Sequence, residues 1–263
     1  GVVTGAIGDQ REVAPRTGSG HRGTMSAWSD RLSNALRPAL IDKVDRDHRQ
    51  TDAEFLRRRI VVGITLVIGA TLLGISLNVD PTSAAFYPLT VSLAATWVIG
   101  GFLSGPLHLG RINMHGELRR PIVLPILLGL ATAVVFILGA VVVREIPPLR
   151  DLTENVLAFA VYGSLPLVAL VTLMNGIAEE VFFRGALFAA IGVRYPVAIS
   201  TVTYTLTTVA TGNLMLVFSA ALLGVLLGLQ RRASGGILGP ILTHCTWSMT
   251  MLLVLPSVFA AAG

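Results

Sequence analysis

The sequence predicts an all-α fold: a polytopic transmembrane helix bundle of about seven spans, with a cytoplasmic N-terminus. Composition is the first reason. Of 263 residues, 53% are hydrophobic and 13% charged, and the mean hydropathy is +0.72, as in integral membrane proteins. The second reason is length: apolar runs of about 20 residues, enough to cross roughly 30 Å of hydrocarbon, recur from residue 60 onward. In lipid such runs must be helices, because each backbone amide needs a partner within its own segment. The third is charge, since the loops between runs alternate between basic and non-basic.

Residues 1–56 are polar, with no apolar stretch able to seed a core, and read as a flexible cytoplasmic tail ahead of a transmembrane domain over 57–263. Met25 is a candidate native start. Within the tail, Trp28, Leu32, Leu36 and Leu40 recur at helical spacing, as in a helix lying on the membrane surface. The expected spans are 60–79, 86–105, 121–143, 157 to about 190, 197–211, 213–229 and 236–255, with ATGN at 210–213 turning the fifth into the sixth. Arg57, Arg58 and Arg59 precede the first span, Arg111, Arg119 and Arg120 separate the second and third, Arg194 follows the fourth, and Arg231 and Arg232 follow the sixth. With the N-terminus inside, all four clusters lie on the cytoplasmic side and the C-terminus lies outside. The net charge of +5 is thereby explained by topology and anionic lipid, not by nucleic acid. Cys245 has no second cysteine to pair with. Gly69 with Gly74 and Gly224 with Gly228 are expected to serve packing within one bundle.

The fourth span carries NGIAEEVFFRG at 175–185. A charge at mid-membrane costs roughly 2.5–3.5 kcal/mol on insertion scales, so two carboxylates and a guanidinium need partners or a wet cavity. At about 100° per residue, Glu180 and Arg184 share a face and can pair, while Glu179 points away. Asn175, one turn earlier, is placed to orient Glu179. A buried carboxylate with no cation beside it is a candidate general base. In the last span His244 and Ser248 lie four apart on one face. Thr201, Thr205 and Thr208 form a stripe in the fifth, with Tyr204 one turn before Thr208, and threonines in such stripes commonly bond back to their own helix.

At these residues the chain resembles the CPBP family (CAAX protease and bacteriocin-processing, also called Abi), polytopic intramembrane endopeptidases, over about residues 155–255. The family's first motif, Glu-Glu and then Arg after three intervening residues, is met by Glu179, Glu180 and Arg184. Its third, His with Asn or a small polar residue, is met by His244 and Ser248. Its second, Phe with His, is not: that segment offers Tyr204 and Thr208, and no histidine stands between Arg184 and His244. The resemblance implies a bacterial plasma-membrane protein that hydrolyses a peptide bond near the cytoplasmic face. It casts Glu179 as general base on water, Glu180 and Arg184 as supports, and His244 with Ser248 as oxyanion donors, with Asn175, Tyr204 and Thr208 lining the site. Family members are described both as metalloproteases and as metal-free, glutamate-dependent enzymes. Zinc enters through that naming alone, with Glu179 and His244 as ligands, and a catalytic zinc usually has three.

Three functions follow from these residues. The first is the endopeptidase, acting on an unidentified peptide or membrane-protein substrate with lipid as its other partner. The second is an inactive CPBP-like protein that binds peptides or a partner, motivated by Thr208. The third is a transporter with a buried carboxylate, which the lack of an obvious inverted repeat makes the weakest.

Overall fold

A computed structural model describes residues 20–45, 49–114 and 116–260, with side chains from Asp30 onward. The chain divides into two units, Gly1–Ala35 and Leu36–Gly263. Helix α1 (Gly20–Leu40) supplies the described part of the first unit and covers the expected amphipathic stripe. The Trp28 side chain and residues 1–19 of the expected tail lie outside the described residues. In the second unit Ala39 is buried, and the Val44 amide donates to the Ala233 carbonyl at 3.1 Å.

The membrane bundle begins with α2 (Asp52–Leu77), whose start is set by a capping box: the Glu54 amide donates to Thr51 Oγ1 at 3.3 Å, and the Thr51 amide donates to Glu54 Oε2 at 2.8 Å. Then come α3 (Phe86–Ser104), a short antiparallel hairpin of β1 (Ile112–Met114) and β2 (Glu117–Arg119), and α4 (Val123–Val143). Helix α5 (Pro147–Tyr162) leads to α6 (Leu165–Glu179), which runs through a π-helical segment, Glu180–Leu187, into α7 (Phe188–Ile191). The chain closes with α8 (Pro196–Val209), α9 (Leu214–Ser234) and α10 (Leu238–Ala260). Among the described residues six helices are long and apolar enough to cross a membrane: α2, α3, α4, the continuous rod Leu165–Ile191, α9 and α10. Their outward faces are apolar, with Val67, Val123, Val135 and Leu138 each more than half exposed, as lipid contact requires.

Two expected spans differ from what is observed. The fourth starts at Leu165, not 157, because Pro166 lacks an amide proton and is tolerated only in a helix's first turn. Residues 157–162 therefore finish the separate helix α5. The fifth is a helix of 14 residues, about 21 Å at 1.5 Å per residue and too short to span unaided. It ends in the expected turn: Gly212 has φ +68°, and Asn213 caps α9 by accepting from the Met215 and Leu216 amides at 3.0 and 3.2 Å.

Contacts sort the helix ends into two sets. At one, Arg58 donates to the Pro106 carbonyl at 3.2 Å, Arg59 to the Ala190 carbonyl at 3.1 Å, and the Ile237 amide to the His108 carbonyl at 2.9 Å. The basic clusters thus gather at one end of the bundle. At the other, Asn78 Nδ2 donates to the Thr211 carbonyl at 3.4 Å, Asn213 Nδ2 to the Leu152 carbonyl at 2.6 Å, and Arg144 to the Val258 carbonyl at 3.1 Å.

Small residues set how closely the helices approach. A Cβ on Gly224 would lie 2.8 Å from Thr201, and one on Gly228 3.0 Å from Val197, so this pair seats α8 antiparallel along α9. A Cβ on Gly69 would fall 2.0 Å from the Trp97 ring. That ring is 1% exposed and stacks on Phe182 at 4.6 Å, which ties α2, α3 and the π segment into one core.

Candidate active site

The charged insert sits where α6 passes into the π segment, whose residues Glu180–Leu187 are all buried. A π-helical stretch is rare and widens the turn, a feature found often at functional sites. Glu179 and Glu180 leave the rod in different directions. Glu180 meets Arg184 on its own turn, Oε1 to Nη1 3.1 Å, and His244 from α10, Oε1 to Nδ1 2.8 Å. The expected Glu180–Arg184 pair forms; its tie to His244 was not expected. Glu179 turns toward α8, where the Tyr204 hydroxyl donates to its Oε2 at 2.7 Å.

The supports of each group can be traced to sequence. His244 reaches Glu180 where α10 packs against α6 at Gly176, a Cβ on which would meet Cys245 Sγ at 3.5 Å and the imidazole at 3.9 Å, both ordinary contacts. The neighbouring Thr243 fixes that turn of α10, its hydroxyl accepting from Gln230 Nε2 at 2.8 Å and donating to the Pro125 carbonyl at 2.8 Å. Arg184 lies over the Tyr204 ring, 4.6 Å from its centroid, so the same tyrosine touches both the free carboxylate and the supporting guanidinium. Arg231 donates to the Arg184 carbonyl at 2.6 Å and is 5% exposed. Sequence reasoning placed Arg231 among the topology-setting charges, and nothing local marks it as a buried strut.

Glu179, Tyr204, Thr208 and His244 line one cavity of about 160 Å³, walled by Trp97 and Trp247 among others. Glu179, Thr208 and His244, from three different helices, therefore face one space. Two expected members stand apart. Asn175 does not orient Glu179: its Nδ2 donates to the Val171 carbonyl at 2.9 Å, and Tyr204 holds the carboxylate instead. The Ser248 hydroxyl donates to the Cys245 carbonyl at 3.3 Å. Thr208 also bonds back, to the Tyr204 carbonyl at 2.9 Å, as short hydroxyls in apolar helices do.

The donor set does not suit zinc. Glu180 Oε1 is shared between Arg184 and His244 Nδ1 and its Oε2 is buried without a hydrogen-bond partner, and no group of three His, Cys, Asp or Glu able to hold a metal occurs among the described residues.

The fold and this site define an integral membrane protein with buried acid–base groups facing a cavity between helices. Residues 161–250 match the family model described as Type II CAAX prenyl endopeptidase Rce1-like. That stretch is similar to the model of this membrane-protease family and contains every residue of the cluster from Glu179 to His244. No curated protein and no solved structure matches the chain.

Proposed function

We propose that the protein is an intramembrane endopeptidase in which Glu179 activates water. The observation that carries this is the convergence of Glu179 and His244 on one cavity, Glu179 held by Tyr204 and His244 by Glu180. Glu179 takes a proton from water as the oxygen attacks the peptide carbonyl. It returns that proton to the departing amine when the tetrahedral adduct collapses. His244 stabilises the oxyanion. An ionised carboxylate only accepts, so Nδ1 carries the hydrogen toward Glu180 and Nε2 is left for the cavity. In the protonated ring Nε2 donates to the developing charge, and Glu180 offsets the imidazolium. Arg184 pairs with Glu180 from the same turn. Ser248 joins the oxyanion pocket only by releasing the Cys245 carbonyl. The basic end faces the cytoplasm of a bacterial plasma membrane, with the N-terminus inside and the C-terminus outside.

Tyr204 and Thr208 stand at the Phe and His positions of the family's second motif, and it is the Tyr204 hydroxyl that reaches Glu179. Tyr204→Phe keeps the ring over Arg184 and removes only the bond to Glu179. It is expected to lower kcat by about 10- to 100-fold with KM little changed, the size of effect that a misplaced catalytic group produces. Unchanged kcat would show that the phenol has no part in holding the base.

The back-bonded Thr208 supports a second function, a peptide-binding protein that has lost catalysis. Purified protein in detergent, incubated with a mixture of membrane-associated peptides and read by mass spectrometry, separates the two. Products from the natural chain support the protease, and products from Thr208→His alone support the binder.

A further inference from the structure

We infer that substrate enters through a polar cleft at the end of the bundle away from the basic loops, as an extended peptide segment without charged side chains. This rests on the protease function proposed above and specifies its substrate class and its side of entry. The cleft has a volume of about 320 Å³ and lies where α2, α5 and the α8–α9 turn meet, with Asn78, Asn155 and Asn213 on its walls. It adjoins the inner cavity, with Leu77, Thr211 and Leu216 on the walls of both.

The opposite approach is closed. Beyond Glu179 toward the basic end lie Glu180, Phe182, Phe183 and Arg184, each no more than 1% exposed. The pocket at that end, lined by Gln50, His108, Gly185 and Arg231 among others, shares no lining residue with the inner cavity. With the basic end cytoplasmic, the open route leads to the outer face, opposite to the cytoplasmic-face cleavage expected from the sequence.

Chemistry of the walls sets the class of occupant. The cleft has no ionisable side chain, and the inner cavity has only Glu179, Tyr204 and His244 among apolar and hydroxyl side chains. In the cleft a lysine or aspartate of the substrate would lose water and find no countercharge on the walls. An extended segment offers free amides and carbonyls to the exposed Asn155 amide, which both donates and accepts, whereas a helix has already used its own. Leu73, Leu77, Leu216 and Leu223 make the inner cavity suited to apolar residues beside the scissile bond.

Accessibility tests the route without any substrate. In a Cys245→Ala background, Ser219→Cys places a thiol on the inner cavity, and Val193→Cys, where the valine is 97% exposed beside Arg194, marks the basic end. Sealed right-side-out and inverted membrane vesicles are treated with a glucosyl-ethyl methanethiosulfonate, which is uncharged and too polar to cross lipid. The two thiols are expected to react in opposite vesicle orientations, and Asn155→Trp is expected to slow the Ser219→Cys reaction at least about ten-fold, by blocking the route, with the Val193→Cys rate unchanged. Reaction of both thiols from one face, no reaction of Ser219→Cys from either, or no effect of Asn155→Trp would overturn the entrance. Labelling as expected in a protein that cleaves no peptide would defeat the catalytic function and leave the route standing.

Discussion

Glu179→Gln is expected to abolish peptide cleavage, lowering kcat by about 10²- to 10⁴-fold, the range that proton transfer by a positioned side chain contributes. The substitution is close to isosteric. The Tyr204 hydroxyl, now 2.7 Å from Oε2, can donate to the amide oxygen of glutamine as it does to the carboxylate, so the cavity keeps its shape and loses only the base. Thermal unfolding in detergent should match that of the natural protein, which distinguishes loss of chemistry from loss of fold. Cleavage at the natural rate in the variant would remove Glu179 from the reaction and leave the buried carboxylate a structural group.

Arg184→Met should act in the opposite manner, chiefly on stability. Glu180 is 0% and Arg184 1% exposed, with Nη1 3.1 Å from Oε1. Removing the guanidinium leaves a buried carboxylate with His244 alone. Breaking one side of a buried pair costs about 3–5 kcal/mol, because the other charge is stranded, whereas removing both charges often costs little. The double variant Glu180→Gln with Arg184→Met is therefore expected to regain much of the loss in a denaturation series. Its His244 would have lost the carboxylate that fixes Nδ1, so activity should stay low while stability recovers. If the double variant melts no later than Arg184→Met, the charge account is wrong, and the loss belongs to the packing of Arg184 over Tyr204.

Legibility differed from one element to the next, for physical reasons. The long apolar rods were plain in the sequence because hydrocarbon imposes a length and forbids unpaired amides, a rule that acts on each segment alone. The Glu180–Arg184 pair was plain for the same reason, as both residues stand on one turn. Pro166 was the signal that the fourth span begins at Leu165, and it was outweighed by the apolar run that continues through 157–162. The short α8 was hidden differently: a helix of 14 residues is stable here because Gly224 and Gly228 take it in against α9, a property of two segments together.

The sequence by itself determined the class of molecule, an α-helical membrane protein, and the ionisable residues set within its fourth and last spans: Glu179, Glu180, Arg184 and His244. Each follows from the cost of placing a polar group in lipid, which a single segment reveals. Only the tertiary structure decided their partners. It gave His244 to Glu180 and Tyr204 to Glu179, turned Asn175 and Ser248 back onto their own helices, and set Glu179, Thr208 and His244 on one cavity. Hydrogen bonds and cavities between helices depend on where side chains from distant segments meet, and helical spacing fixes direction only along one rod.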